Sequence, residues 1–314
     1  MSIDRRQCLA TATAAALGAL LVSRPSSLLA QAAPPAVSKF DLGGAELHVV
    51  VDGIMDVGSS GAGSNRPEAE VEAALASAGL PPKRIRQPVN VSVLKTATDL
   101  IVFDCGGGPN FMDGLGKFSD NFSATGLDPA AVTKVIFTHG HPDHLWGAVD
   151  EFDDSLRFPK ATYHMADVEL DLWRSPDATS KLPADRANFV TGAQRNIKTI
   201  GDRLTAFKAG AEVAPGVLAV PTYGHTQGHT SFELKTKDGP LVILGDALIH
   251  PLISFAHPDW RPGGDHVPEQ AVETRKRLLD RLATDKARVL GCHLPTPGLG
   301  RVERKDGAYR FVSA

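Results

Sequence analysis

Six consecutive residues constrain this chain more than anything else in it. They are His139-Gly-His141-Pro-Asp143-His144, and they directly follow the apolar, β-branched run 132–138. The run has the composition of a buried strand, so three imidazoles and one carboxylate fall at a strand's C-terminal end. Gly140 and Pro142 help shape a turn that can bring alternate side chains toward one point, and Asp143 and His144 then stand near the start of a helix. Imidazole suits zinc and similar metals, and a nearby carboxylate adds charge and can hold a metal-associated water. A chain with this segment must fold a strand, a tight turn and a helix start around one metal-sized point.

Three later pieces also put a polar group where a strand meets a loop. His225 and His229 lie in Gly224-His-Thr-Gln-Gly-His229-Thr, Asp246 follows the apolar run 241–244, and His293 follows the strand read over 287–291. Strand ends are where α/β folds build sites. A carboxylate after a buried apolar run is costly unless it is paired or bound to metal.

The rest of the chain supplies a framework. Residues 46–51 and 90–95 read as strands, 100–103 continues as a hairpin after a Thr-Ala-Thr-Asp turn, and strand-like stretches follow at 161–163, 217–220 and 231–234. Residues 59–65 form a Gly/Ser loop. Residues 68–79 read as a short helix, and 269–282 as a long amphipathic one with Ala271, Val272, Leu278, Leu279 and Leu282 apolar. The strand of 287–291 is the last expected. Sheets covered by helices imply one α/β domain over 39–314. The net charge of −3 comes without a basic stripe, so nothing points to nucleic acid as a partner.

Residues 1–32 stand apart. Arg5 and Arg6, the apolar run 9–22 and the small residues of Ala30-Gln31-Ala32 form a twin-arginine-type signal peptide, which implies export, most simply to a periplasm. The run is too short and Ala-rich for a span, so no stable membrane insertion is expected after processing. Residues 33–38 read as a linker. Beyond the signal only Cys105 and Cys292 remain, which gives no disulfide framework. Both read as small buried hydrophobes, with Cys292 set beside His293.

In this order, His-x-His-x-Asp-His, Gly-His-x-x-Gly-His, Gly-Asp and a late His, the residues resemble the metallo-β-lactamase-fold hydrolases. The resemblance implies an αβ/βα sandwich, two mixed β-sheets flanked by helices. Carried over by motif, it implies two divalent ions, zinc by ligand preference. His139, His141 and His229 would hold one ion; Asp143, His144 and His293 the other; Asp246 would bridge them. His225 would orient a ligand without binding metal. The remaining histidines, at 48, 164, 250, 257 and 266, match no motif, with His250 near Asp246 in sequence. The late segment Gly291-Cys-His-Leu-Pro-Thr-Pro-Gly-Leu-Gly-Arg-Val, the stretch Met165-Ala-Asp-Val-Glu-Leu-Asp-Leu-Trp173 and the terminal Gly307-Ala-Tyr-Arg-Phe-Val are similar to the methyl parathion hydrolase group.

That resemblance implies a dinuclear hydrolase acting on small-molecule esters, phosphotriesters or aryl esters, by a metal-bridging hydroxide. Two ions that share a water lower its pKa toward neutrality. Asp143 and Asp246 would be the catalytic carboxylates. Trp173, Phe118 and Phe189, with Phe122, are candidates for an aromatic mouth suited to neutral apolar esters. A lactonase is the alternative, although many such enzymes carry a Tyr three residues after the bridging Asp, where this chain has Ile249. A β-lactamase would lack the bridging Asp and use the first histidine of the Gly-His unit. A non-catalytic metal-binding protein would usually have lost ligands, and none is missing. A homodimer is an open possibility.

Overall fold

The computed structural model describes residues 35–314, so the expected signal segment 1–32 and the first two residues of the expected linker, 33 and 34, lie outside the described residues. Two seven-stranded sheets carry the fold. The first holds β1 (Val37–Asp41), β2 (Glu46–Gly58), β3 (Arg84–Lys95), β4 (Leu100–Phe103), β5 (Lys134–Ile136), β6 (Thr162–Ala166) and β7 (Leu204–Phe207), in that spatial order. Its first four strands pair antiparallel and its last four parallel. The second holds β8 (Glu212–Ala214), β9 (Val217–Pro221), β10 (Thr230–Thr236), β11 (Gly239–Ile243), β12 (Arg288–Leu290), β13 (Leu299–Lys305) and β14 (Ala308–Ser313). Only β11 and β12 pair parallel there. Six α-helices accompany the sheets among the described residues: α1 (Glu68–Ser77), α2 (Phe118–Ser123), α3 (Pro142–Leu145), α4 (Asp167–Arg174), α5 (Ala187–Ile200) and α6 (Pro268–Asp285). This is the αβ/βα metallo-β-lactamase sandwich.

The central strands of the first sheet are apolar on both faces because both are covered. Val49, Ile101 and Ile136 point between the sheets, where they join Phe103 and, from the second sheet, Phe232, Leu241 and Ile243. Their neighbours Val50, Val102 and Val135 point the other way, under α2, α4 and α5. On the far side Leu278, Leu279 and Leu282 of α6 cover Val242 and Val289. Burying both faces makes the sheets rigid and leaves one edge, where the strands' ends open into loops, free to carry chemistry.

Three expectations need correction. The linker read over 33–38 ends early, because Val37 and Ser38 already pair with Val50 and Val49. The strand at 287–291 is not the last: β13 and β14 follow it and close the second sheet. Their polar alternation, exposed at Arg301, Glu303 and Arg304, hides the pattern of a sheet edge covered on one face only. The strands read over 46–51 and 90–95 are also longer than expected, since β2 runs on to Gly58 and β3 begins at Arg84, and they pair past a bulge at Asp52.

Phe232 is fully buried and sits 5.3 Å from Phe103, centroid to centroid, in the inter-sheet core. Phe232→Ala should destabilise the metal-free protein by about 3–5 kcal/mol. Urea unfolding followed by circular dichroism measures this, and a loss below about 1 kcal/mol would show that the sheets do not depend on this contact.

Candidate metal centre

The predicted site residues arrive at one point from four strand ends. Residues 139–141 leave β5, and Asp143 and His144 stand on α3 with Pro142 at its first position. The 224–229 turn lies between β9 and β10, Asp246 follows β11, and His293 follows β12. Gly140 allows the packing behind this loop: a Cβ there would lie 2.3 Å from the indole nitrogen of Trp173.

Two groups of donor atoms result, His139, His141 and His225 in one, and His144, Asp246, Cys292 and His293 in the other. Asp246 faces both. Its Oδ1 is 3.1 Å from His144 Nε2 and 3.2 Å from His293 Nε2, while its Oδ2 is 3.3 Å from His225 Nε2. Asp143 Oδ2 lies 3.2 Å from His293 Nε2 and 3.4 Å from His144 Nε2. His139 Nε2, His144 Nε2 and Asp246 Oδ1 are buried without hydrogen-bond partners. Unpaired buried nitrogen and carboxylate oxygen aimed at one point is the donor set of a metal site, so these residues fit divalent ions.

The Gly-His-x-x-Gly-His turn corrects the expected ligand set. His229 uses both ring nitrogens within the protein: Nε2 accepts from the Asp246 backbone N–H at 2.8 Å, and Nδ1 is 2.8 Å from Thr222 Oγ1. Gly245 allows that approach, because a Cβ there would lie 2.6 Å from His229 Nε2. No lone pair of His229 remains for a metal. His225 is the histidine that turns inward, its Nδ1 held 3.0 Å from Asp265 Oδ1 and its Nε2 2.9 Å from His141 Nδ1. The two histidines therefore exchange the roles expected of them, and His229 no longer separates this chain from the β-lactamases; Asp246 still does.

The electrostatics are those of an ion site. Burial, reinforced by neighbouring imidazoles, holds His139 and His141 far below the usual histidine range and pushes His229 down to about 3. Burial also acts against charge on His144 and His293, but the carboxylates, Asp246 foremost, outweigh it and raise both. Asp143 and Asp246 are held well below the usual carboxylate range, the facing histidines overcoming the cost of burial. These shifts favour charged imidazole facing charged carboxylate, and an ion bound here would take the place of the imidazole protons.

Several residues that fix this geometry had no motif to reveal them. Asp104 Oδ2 lies 2.8 Å from His144 Nδ1, and Thr138 Oγ1 is 3.0 Å from His139 Nδ1. The Pro88 carbonyl is 2.9 Å from His293 Nδ1. His266, which matched no motif, sets its Nε2 2.9 Å from His141 Nε2, and burial pushes it down to about 3, so it stays neutral. Such partners select the tautomer that leaves the inward nitrogen free. Glu169 reaches furthest. Its Oε1 accepts from Gly140 N at 2.8 Å and Trp173 Nε1 at 2.6 Å, and its Oε2 from Thr226 Oγ1 at 2.6 Å and Gly228 N at 3.0 Å. One buried carboxylate thus clasps both histidine loops.

A cavity of about 370 Å³ opens over the cluster, lined by Met55, Val57, Ile85, Phe111, Met112, Phe189 and Ile249 beside His141, Asp143, His225, Asp246 and His293. Of the aromatic candidates, Phe189 lines it, edge-on to His141 and Phe111. Phe118 does not, and neither does Phe122; both are core residues packed edge-on against Phe158. Trp173 is fully buried behind His141, tied down by Glu169. Phe111, Met112 and Gln87 complete the lining without having been anticipated. His250 turns away to accept from the backbone N–H groups of Leu252 and Ile253.

A sandwich of this kind with such a donor set at its strand ends defines a metal-dependent hydrolase. Residues 84–293 match the Metallo-beta-lactamase superfamily, and the chain belongs to it. Among solved structures it is similar to AidC, a dizinc quorum-quenching lactonase in complex with a product, at 26% identity and a TM-score of 0.83 over 89% of this chain and 97% of that one. It is similar to the hydrolase AbOPH of the beta lactamase superfamily at 27% identity and a TM-score of 0.82, over 90% of this chain and 98% of that one. An N-acyl homoserine lactone hydrolase, 18% identical with a TM-score of 0.57 over 83% of this chain and 94% of its own, shares the fold. The uncharacterized protein YobT of Bacillus subtilis (strain 168) is 32% identical over 113 residues, 36% of this chain and 45% of YobT, so the match spans under half of that relative.

Glu169→Gln would turn an amide N–H₂ toward two of the four donors. We expect the fold to persist, by far-UV circular dichroism, while metal affinity falls about 10- to 100-fold in competition with a chromogenic chelator. Unchanged affinity would leave Glu169 with no positioning role.

Proposed function

We propose that this chain hydrolyses ester-type bonds of neutral, largely apolar small molecules at a centre of two divalent ions. The observation that carries the reading is the set of converging, unpaired buried donors at the floor of an apolar cavity. His139, His141 and His225 would hold one ion, Asp143, His144 and His293 the other, with Asp246 between them. When bound, the ions would lower the pKa of a shared water and draw charge from the substrate's carbonyl or phosphoryl oxygen. Asp143 is the carboxylate placed to take the attacking water's proton and carry it toward the departing oxygen. The apolar walls exclude water and favour substrates without net charge.

The lining supports substrates with a stable leaving group. It offers no serine, threonine or tyrosine hydroxyl and no lysine ammonium among the described residues. Its polar side chains beyond the ligand cluster are Gln87, which donates to the Ile249 carbonyl, and Arg186, which donates to the carbonyls of Gly263 and Gly264. A departing oxygen therefore finds little acid there besides Asp143, which suits aryl esters and aryl phosphotriesters, the substrates implied by the resemblance to the methyl parathion hydrolase group. Lactone opening is the second reading, favoured by the likeness to the dizinc lactonase AidC. Export by the twin-arginine route, read from Arg5 and Arg6, belongs to the same proposal, since that route carries folded protein with its metals in place.

Two experiments test this reading. His225→Ala should lower bound metal below two equivalents per chain, whereas His229→Ala should retain two; the opposite pattern would restore His229 as the ligand. The metal-loaded protein should show its highest kcat/KM on aryl esters or aryl phosphotriesters in a panel that includes N-acyl homoserine lactones. Dominant lactone turnover would leave the centre intact and assign the chain to the second reading.

A further inference from the structure

We infer that Cys292 is a sulfur ligand of the ion held by His144, Asp246 and His293. The inference rests on the two-ion reading and adds a donor that reading does not contain. The Cys292 Sγ and one ligand atom each of His144, Asp246 and His293 all lie within 4.8 Å of one another. Two of those partners, His144 Nε2 and Asp246 Oδ1, are buried and lack hydrogen-bond partners.

Apolar packing alone does not account for this placement. Cys292 does touch Met55, Val89 and Leu115, which explains one side of the residue. Its sulfur also joins a group of imidazole and carboxylate donors, where a hydrophobe gains nothing. The backbone holds it there: the Cys292 carbonyl accepts from Asn90 N at 2.9 Å, and the next side chain is held by the Pro88 carbonyl, so β3 fixes both residues. Rotation of one side-chain bond is the only freedom that remains to bring sulfur onto an ion.

Coordination would release the thiol proton to solvent and leave an anionic sulfur on the metal. The two positions would then differ in kind. The position of His139, His141 and His225 offers nitrogen with a share of Asp246, while the other offers nitrogen, carboxylate and sulfur. Sulfur favours zinc, cobalt or cadmium over manganese or magnesium, so the second position should discriminate between metals more strongly than the first.

The test loads the full chain with cobalt(II), and separately with zinc, in wild type, Cys292→Ala and Cys292→Ser. We expect a near-ultraviolet thiolate-to-cobalt charge-transfer band in wild type and its loss in both variants. Zinc-edge X-ray absorption should show a sulfur shell at about 2.3 Å in wild type only. Cys292→Ser keeps the size of the side chain, so it provides the comparison if the alanine variant does not fold. Two bound metals with no sulfur signal in wild type would overturn the inference while leaving the two-ion centre standing. Failure of wild type to bind metal would overturn both.

Discussion

Asp246 carries a negative charge at 6% exposure, and its two oxygens face different sets of histidines. A buried carboxylate is tolerated only with close partners that offset its charge, and here the imidazoles that face it come from three separate segments: His144 after β5, His225 between β9 and β10, and His293 after β12. The strand ends converge because this charge must be answered from several sides at once. A site assembled from one loop could have reached only part of the way around it. The two sheets, whose central strands are buried on both faces, hold these distant segments in register.

The same logic repeats one layer outward. Asp104 holds His144, Asp265 holds His225, and Glu169 binds the two histidine loops to each other. Each of these carboxylates is buried, and each accepts more than one hydrogen bond. The cost of burying them is offset by fixing which nitrogen of each imidazole carries the proton, and that decides which nitrogen can take an ion. His229 shows the limit of such support. Its partners, Thr222 and the Asp246 backbone, occupy both nitrogens and make it a strut.

Much of this was legible in the residues. The 139–144 segment, Asp246 and His293 declared themselves by residue type at strand ends, and they meet where expected. Strands that are apolar on both faces were also readable, because burial leaves an unbroken hydrophobic run. β13 and β14 were not, since an edge covered on one face alternates with charge and looks like a loop. The choice between His225 and His229 was out of reach as well, since four residues of turn place both rings near the cluster. The contacts of Asp246 N and Thr222 with His229, and of Asp265 with His225, separate them, and nothing in Gly-His-Thr-Gln-Gly-His announces these. Glu169, Asp104 and Asp265 act across 29, 40 and 40 residues of chain, distances at which no local pattern survives. Phe118 by its segment and Trp173 by resemblance were candidates for a cavity wall, but whether an aromatic faces a cavity or a core depends on the helix it stands on.

The Asp265 contact reaches beyond the centre. Arg275, 2% exposed on α6, donates to Asp265 Oδ2 at 3.0 Å and to the Trp260 carbonyl at 2.9 Å, while Asp265 Oδ1 holds His225. The longest helix in the described chain is therefore fastened to an inward-facing histidine by an unbroken run of charge-assisted bonds. Anything that tightens His225 in place also tightens α6 against the second sheet, and the coupling works equally in reverse. Occupancy of the centre should thus be readable far from it, as slower hydrogen exchange at the backbone amides of α6.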